Sequence, residues 1–231
     1  MKDYIKDIPV DNKSYEDILL EIKDAIKNNQ KYTIFSINPK KIMHSMQDEK
    51  LKKGLINASA HIPDGMLVVK KCKYINKRVT GVDLMNKICE NCHDINGKIF
   101  FYGAKKEVVE KLNVVLKEKY PNITISGYID GYSDSDKVIN AINKSKANIL
   151  FVAMGSPKQE LWVIDNIDNL NVNVIMGVGG SFDVLSGTKK RAPKFFTKLN
   201  LEWLYRMVCE PKRMKELPLY LKFLFTVKRD K

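Results

Sequence analysis

Short hydrophobic runs recur along the chain, and most are followed by a stretch with helical spacing of apolar residues. The runs at 32–37 and 149–154 predict buried strands, and further strands are predicted at 60–63, 98–102, 123–126 and 173–176. Between them, apolar residues three and four positions apart predict helices, as in 105–119. This alternation favours a Rossmann-like parallel sheet with helices on both faces.

The stretch 148–162 is the clearest strand–turn–helix unit. Its strand is broken after Met154, and Pro157 is predicted to be the first helical residue, with Ser156 as its cap. The first helical turn would then carry Lys158, Gln159 and Glu160. Open α/β sheets bind ligands at the carboxyl ends of their strands, and a helix N-terminus favours anions. Many such units are nevertheless purely structural.

Polar residues also follow other predicted strands. Asp64 could act as a general base, although an Asp before Gly is also ordinary in a turn. Ser36 and Asn38 could bind ligand hydroxyls, or could be plain loop residues. The segment 177–181 is glycine-rich, but Phe182 breaks the dinucleotide-binding pattern GxGxxG. Its glycines still permit a ligand to approach the backbone closely.

We expect no metal or haem cofactor. Residues 89–93 match the haem-attachment pattern CxxCH, but Cys89 falls on the apolar side of a predicted helix and no export signal is present. Cys72 and Cys209 stand alone, so a zinc site is not expected. The Asp-x-Asp pattern at 134–136 more simply opens a helix.

Composition and charge narrow the function. The chain has 231 residues, 44% of them hydrophobic and 29% charged, which is typical of a globular protein. Residues 189–231 hold 13 of the 40 basic residues but only 4 of the 27 acidic ones. This asymmetry indicates nucleic acid, phospholipid or a diphosphate as partner, or simply a solvated lysine-rich tail. Without a signal peptide or membrane-spanning run, the sequence predicts a cytoplasmic protein.

We predict an α/β domain at 1–199 and a basic, amphipathic helical appendage at 200–231. An apolar stripe at 201–208 ends before Pro211. Within 217–227, large apolar residues stand beside basic ones, which suits a membrane interface, or a helix docked on the domain or on another subunit. The apolar residues are Leu219, Tyr220, Leu221, Phe223, Leu224 and Phe225.

Seven segments together resemble the WecG/TagA/CpsF glycosyltransferases. In chain order they are SINP (36–39), PDGMLVV (63–69), RVTGVDL (78–84), GYIDGY (127–132), GSPKQE (155–160), GVGGSFD (177–183) and KRAPK…LEWLYRMVCEPKR (190–213). The resemblance implies an inverting, metal-independent glycosyltransferase at the cytoplasmic face of the cell membrane. Such enzymes move a sugar, typically N-acetylmannosamine or its uronic acid, from UDP to the GlcNAc of a polyprenyl-diphosphate lipid. The products feed teichoic acid, common antigen or capsule.

By motif match, the resemblance makes Asp64 the base. It identifies Ser36, where the family often has Thr, together with Asn38, Arg78 and Gln159, as further active-site residues. Substrate contacts are predicted at Gly155, Lys158, Glu160, Gly179, Gly180 and Tyr132. Arg206 and Arg213 match arginines of a mobile segment that closes over the UDP diphosphate. Family members often carry further arginines just after this point, whereas Lys215 and Glu216 follow here.

Two rival hypotheses make different demands on the sequence. A nucleic-acid-binding protein would carry basic residues interleaved with aromatics on a reader module, and the sequence contains none. A non-catalytic nucleotide-sugar-binding domain remains possible, because fold alone does not establish activity. The expected partners are therefore a UDP-sugar, the lipid acceptor and an anionic membrane surface, with a homo-oligomer left open. The sequence does not distinguish N-acetylmannosamine from its uronate or from glucose as the donor sugar.

Overall fold

A computed structural model describes residues 2–193, 196, 202–209 and 211–227. Six parallel strands form the main sheet in the order β4-β3-β8-β7-β5-β6. Their bounds are β3 Tyr32–Ile37, β4 Ala60–Pro63, β5 Ile99–Gly103, β6 Ile125–Ile129, β7 Ile149–Ala153 and β8 Val174–Gly177. Each predicted strand is present, with ends that differ by up to three residues. The predicted Rossmann-like α/β fold is therefore confirmed.

Helices cover both faces of the sheet. They are α1 Tyr15–Lys27, α2 Pro39–Ser45, α3 Glu49–Ile56, α4 Met66–Val69, α5 Gly81–Glu90, α6 Lys106–Lys119, α7 Ser135–Lys144, α8 Lys158–Asn166 and α9 Ser181–Leu185. Ser14 caps α1 in a reciprocal capping box with Asp17. Asp134 caps α7 through the backbone N–H groups of residues 136 and 137, so the Asp-x-Asp pattern does open a helix.

The sheet separates two hydrophobic cores. Alternate strand residues point to opposite faces, so Ile34 and Phe101 enter one core and Phe35 and Phe100 the other. The first core includes residues of α1, α5 and α6, and the second those of α2, α3, α7 and α8. Cys89 is buried in the first core, as its helical spacing predicted.

An N-terminal hairpin was not predicted. Strands β1 (Lys2–Ile5) and β2 (Ile8–Asp11) pair antiparallel and lie beside β4. The Asp11 carboxylate is buried and accepts a 2.7 Å hydrogen bond from the backbone N–H of His61. The strands have four residues each, too short for a clear period-two pattern.

The C-terminal part contains α10 (Glu202–Cys209), a 3₁₀ segment (Pro211–Glu216) and α11 (Leu217–Thr226). Helix α11 packs against α2, and its Phe223 is completely buried in the second core. The expectation that Phe223 belongs to a membrane-facing surface is therefore wrong. The opposite side of α11 exposes Leu221, Leu224 and Phe225, the last with 83% of its surface accessible.

Candidate active site

A cavity of about 400 Å³ opens at the carboxyl ends of four neighbouring strands, β4, β3, β8 and β7. After β3 the chain crosses to β4 on one side, whereas β8 and β7 lie on the other, which makes this the topological switch point. The cavity lining includes the following predicted residues: Ser36, Asn38, Asp64, Arg78, Gly155, Gln159, Gly179 and Gly180. Residues up to 144 positions apart thus meet in one site.

Asp64 lies directly after β4 and is held by backbone and side chain. Its N–H donates to the carbonyl of Ile37 at 3.0 Å. The Arg78 Nη2 atom lies 3.4 Å from Asp64 Oδ1, at the limit for a hydrogen bond. The arrangement presents a partly exposed carboxylate to the cavity with a guanidinium at its side.

Asn38 has a structural task as well as a place in the cavity. Its Oδ1 atom accepts a 3.0 Å hydrogen bond from the backbone N–H of Lys41, which caps α2. Pro39 occupies the first helical position, where its missing N–H costs nothing. The side-chain oxygen of Asn38 is therefore engaged, and its NH₂ group is the part left to contact a ligand.

A buried polar network lies at the floor of the cavity. The Lys41 ammonium lies 2.9 Å from Glu160 Oε1 and 2.9 Å from Ser36 Oγ. Gln159 Nε2 donates to the same Glu160 oxygen at 2.7 Å, and Gln159 Oε1 accepts from the N–H of Gly179 at 3.0 Å. Burial raises the pKa of Glu160, but the Lys41 charge and hydrogen bonds from Lys41 and Gln159 outweigh it, so the net pKa is lowered.

Glycine at position 177 permits this network. A Cβ built there would come within 2.9 Å of Gln159 Nε2 and 3.4 Å of Glu160 Oε1. Gly179 has a positive φ of 52°, a conformation that glycine adopts at little cost. The glycine-rich segment therefore makes room for Gln159 and presents a backbone N–H to it, without a dinucleotide fingerprint.

Three predicted substrate contacts do not line the cavity. Glu160 is completely buried, and its Oε1 atom is in contact with both Lys41 and Gln159. Lys158 lies in the first turn of α8 but points to solvent. Tyr132 follows β6 at the far edge of the sheet and is 79% exposed. For these three residues the geometry does not favour contact with a ligand inside the cavity.

The predicted cap of α8 is also wrong. The helix begins at Lys158, Pro157 occupies the N-cap position, and no side chain caps the helix. The hydroxyl of Ser156 is instead buried beside the Glu160 carboxylate, and it helps to lower the pKa of that group. The sequence pattern assigned this hydroxyl to the helix backbone, and the structure places it near a buried carboxylate instead.

The C-terminal part closes one side of the cavity. Met207 of α10, Tyr220 of α11 and Glu216 between these helices belong to its lining. Glu216 pairs with Lys40 of α2, with 2.7 Å between Oε1 and Nζ. The side chains of Arg206 and Arg213 lie outside the part of the chain that the structure describes, so their predicted contact with a diphosphate stays a prediction.

Several residues at the site were not predicted from sequence. They are Lys40, Lys41, Thr80, Ser181, Met207, Glu216 and Tyr220. The sequence offered one signal for Lys41. It is a charged residue directly beside the apolar residues Ile42 and Met43, in the helix that Asn38 and Pro39 begin. Ser181 directly follows the predicted site residue Gly180, and Lys40 stands two positions after Asn38. Thr80, Met207, Glu216 and Tyr220 become neighbours of the site only when the α5 entrance and the C-terminal part fold against it.

The residues that the structure describes show neither a metal-ligand cluster nor a membrane-spanning helix. Within them, no group of three or more His, Cys, Asp or Glu side chains is arranged to hold a metal ion. Among the same residues, no helix combines the length and the apolar character needed to cross a bilayer.

Comparisons with known proteins identify the family of the chain. Residues 4–231 match the glycosyl transferase WecG/TagA/CpsF family. Relatives from Staphylococcus aureus strains NCTC 8325 / PS 47 and COL are 33% identical over 234 residues, covering 96% of this chain and 91% of theirs. A relative from strain MRSA252 is 32% identical with the same coverage. All three are named N-acetylglucosaminyldiphosphoundecaprenol N-acetyl-beta-D-mannosaminyltransferase. The match over nearly the whole chain confirms the resemblance seen in the motifs: this protein belongs to the WecG/TagA/CpsF family of glycosyltransferases.

Proposed function

We propose that this glycosyltransferase moves N-acetylmannosamine from UDP to the GlcNAc of a polyprenyl-diphosphate lipid, with inversion and without a metal ion. The observation that carries the proposal is the cavity itself, which brings Asp64 together with Arg78, Ser36 and Asn38 at the switch point of the sheet. The names of the S. aureus relatives support the acceptor and the sugar. The product would feed teichoic acid or a related surface polysaccharide.

Asp64 is the base of this mechanism. Its carboxylate takes the proton of the acceptor hydroxyl while that oxygen attacks the anomeric carbon. The new glycosidic bond forms on the face opposite the bond to UDP, which breaks, so the configuration inverts. Arg78 orients the Asp64 carboxylate through the 3.4 Å contact.

The departing UDP carries the electron pair and gains negative charge. Cationic side chains and backbone N–H groups at the cavity supply the stabilisation in this proposal. Lys40 lines the cavity, and the resemblance adds Arg206 and Arg213. The cavity carboxylates Asp64 and Glu216 are already paired with Arg78 and Lys40, which supports a mechanism that needs no metal ion.

The acceptor lipid places the enzyme at the inner face of the cell membrane in this proposal. Exposed Leu221, Leu224 and Phe225 on α11 provide an apolar surface, and Lys222 lies beside them on the same helix. Such a surface can enter the lipid headgroup region while the sheet stays in water. The same helix contributes Tyr220 to the cavity, so the lipid-linked sugar would meet the site at this end.

A donor and acceptor assay tests the proposal. Purified protein is mixed with a short-chain polyprenyl-diphosphate-GlcNAc acceptor and one donor at a time. The three donors are UDP-N-acetylmannosamine, its uronate and UDP-glucose. We expect turnover with UDP-N-acetylmannosamine, unchanged by EDTA, and a product whose anomeric configuration, measured by NMR, is opposite to that of the donor. Turnover only with another sugar would replace the donor assignment, and loss on chelation with rescue by Mg²⁺ or Mn²⁺ would contradict the metal-free mechanism. Binding of UDP-sugars without turnover would favour the non-catalytic alternative.

A further inference from the structure

A buried ion pair lies directly beneath the cavity. Lys41 of α2 and Glu160 of α8 approach to 2.9 Å, and they are 1% and 0% exposed. Neither residue is needed as base or as leaving-group cation in the proposed mechanism. Charged residues are almost never buried to this degree unless they are paired, so the pair calls for a physical explanation.

Each partner also holds one side chain of the proposed active site. Lys41 Nζ lies 2.9 Å from Ser36 Oγ. Glu160 Oε1 lies 2.7 Å from Gln159 Nε2. Ser36 and Gln159 both line the cavity, so the ion pair contacts the site from below at two points.

The chemistry of the pair fixes the direction of these hydrogen bonds. An ammonium group can only donate, so the Ser36 oxygen must accept from Lys41, and the hydroxyl proton of Ser36 is left to point elsewhere. An ionised carboxylate can only accept, so Gln159 must turn its NH₂ group toward Glu160. Gln159 Oε1 then accepts from the N–H of Gly179, and the side-chain amide has one orientation.

We propose that Lys41 and Glu160 are positioning residues, which set Ser36 as a hydrogen-bond donor toward the substrate and lock the amide of Gln159. The proposal rests on the proposed function, because it takes Ser36 and Gln159 as substrate contacts. Lys41 and Glu160 do not touch the substrate in this proposal. They fix which hydrogen-bonding group Ser36 and Gln159 turn toward it.

A purely structural role would have a different signature. A buried ion pair usually adds little stability over a well-packed apolar pair, whereas removal of one partner leaves an unpaired charge and is strongly destabilising. The double variant Lys41→Met/Glu160→Leu keeps similar volumes and removes both charges. If the pair only holds α2 against α8, activity should return together with stability in this variant.

The first arm measures unfolding temperature, kcat and KM for both single variants, the double variant and Asp11→Asn. Asp11 is a matched control, since it is a buried carboxylate hydrogen-bonded to His61 outside the cavity. We expect the single variants to be the least stable and the double variant to recover most of the stability. Its kcat should stay at least about tenfold below wild type, as expected when a preorganised donor is lost. Asp11→Asn should lose stability but keep kcat, and full recovery of kcat in the double variant would overturn the proposal.

The second arm does not depend on any donor sugar. Without Glu160, Gln159 can rotate away from Gly179, so amide hydrogen exchange at Gly179 should become about tenfold faster in the double variant. The N–H of Val178, which donates to the carbonyl of Val152 at 2.9 Å, serves as the internal reference. If hydrogen exchange at Gly179 is unchanged in the double variant, Glu160 does not lock Gln159, whether or not the enzyme turns over any donor. If exchange becomes faster in the variant but the wild-type protein is inactive, only the proposed function is contradicted. If the double variant is unfolded, Glu160→Gln gives the same comparison, because a neutral amide no longer enforces one orientation of Gln159.

Discussion

Lys40 Nζ lies 2.7 Å from Glu216 Oε1, joining the first turn of α2 to the segment between α10 and α11. Both residues line the cavity and are partly buried. The pair balances the charge of Lys40 with that of Glu216 at this side of the cavity. Lys40 then has to exchange its partner if a diphosphate enters.

This exchange predicts opposite effects of two substitutions. Glu216→Gln removes a like charge from the neighbourhood of the donor diphosphate and should lower KM for the donor about two- to fivefold, whereas Lys40→Met should raise it by a similar factor. Steady-state kinetics with varied donor concentration checks both values. Lys52→Met is the control, because it breaks an ion pair with Asp7 outside the cavity. Equal increases of KM in the Lys40 and Glu216 variants would instead show that the pair only holds the segment closed.

Asp64→Asn tests the proposed base. The amide keeps the size of the side chain but cannot accept the acceptor proton, so kcat should fall by about 10² to 10⁴. Donor affinity, measured by calorimetry, and unfolding temperature should remain close to wild type, because Asp64 is partly exposed and its contact with Arg78 is long, at 3.4 Å. Turnover near the wild-type rate would remove Asp64 from the mechanism.

Helix α11 offers a matched pair of substitutions. Phe225→Asp should weaken binding to anionic liposomes and leave turnover of a short, water-soluble acceptor unchanged, because Phe225 is 83% exposed. Phe223→Ala should instead lower the free energy of unfolding by about 3–5 kcal/mol, because it leaves a hole in the second core. Liposome co-sedimentation and urea unfolding of both variants separate the two roles. If Phe225→Asp binds liposomes like wild type, α11 is not the membrane surface.

The lowered pKa of Glu160 predicts a pH dependence of stability. A carboxylate with a pKa below its ordinary value of 4.5 contributes stability above that pH, and the contribution is lost as the pH falls through the folded-state pKa. The difference in unfolding free energy between wild type and Lys41→Met/Glu160→Leu should therefore be constant from about pH 6 to 7.5 and should shift against wild type below about pH 4.5. Urea unfolding across this range measures it. A difference that stays constant down to about pH 3 would show that Glu160 titrates as it does in the unfolded chain.

The sequence by itself determined the six strands of the main sheet, their parallel arrangement and the end of the sheet at which the cavity lies. Those features follow from local apolar runs and from residues that mark the end of a strand or the start of a helix, such as Gly155 or Pro39. A local pattern is enough because strands buried on both faces are continuously hydrophobic. The local pattern also singled out Asp64 and Gln159, and motif resemblance added Arg78; the fold does bring all three to one cavity. Predicted residues outside that cavity, such as Tyr132, came from segments whose position in the sheet no local pattern reveals.

Only the tertiary structure decided which polar residues face the cavity and which lie beneath it. Gln159 and Glu160 are neighbours in the chain, yet one lines the cavity and the other is sealed under it by Lys41, from another helix. The two phenylalanines of α11 likewise differ because α2 covers Phe223 and leaves Phe225 in solvent. Burial and ion pairing depend on what packs against a side chain from distant parts of the chain, and residue spacing within one segment does not contain that information.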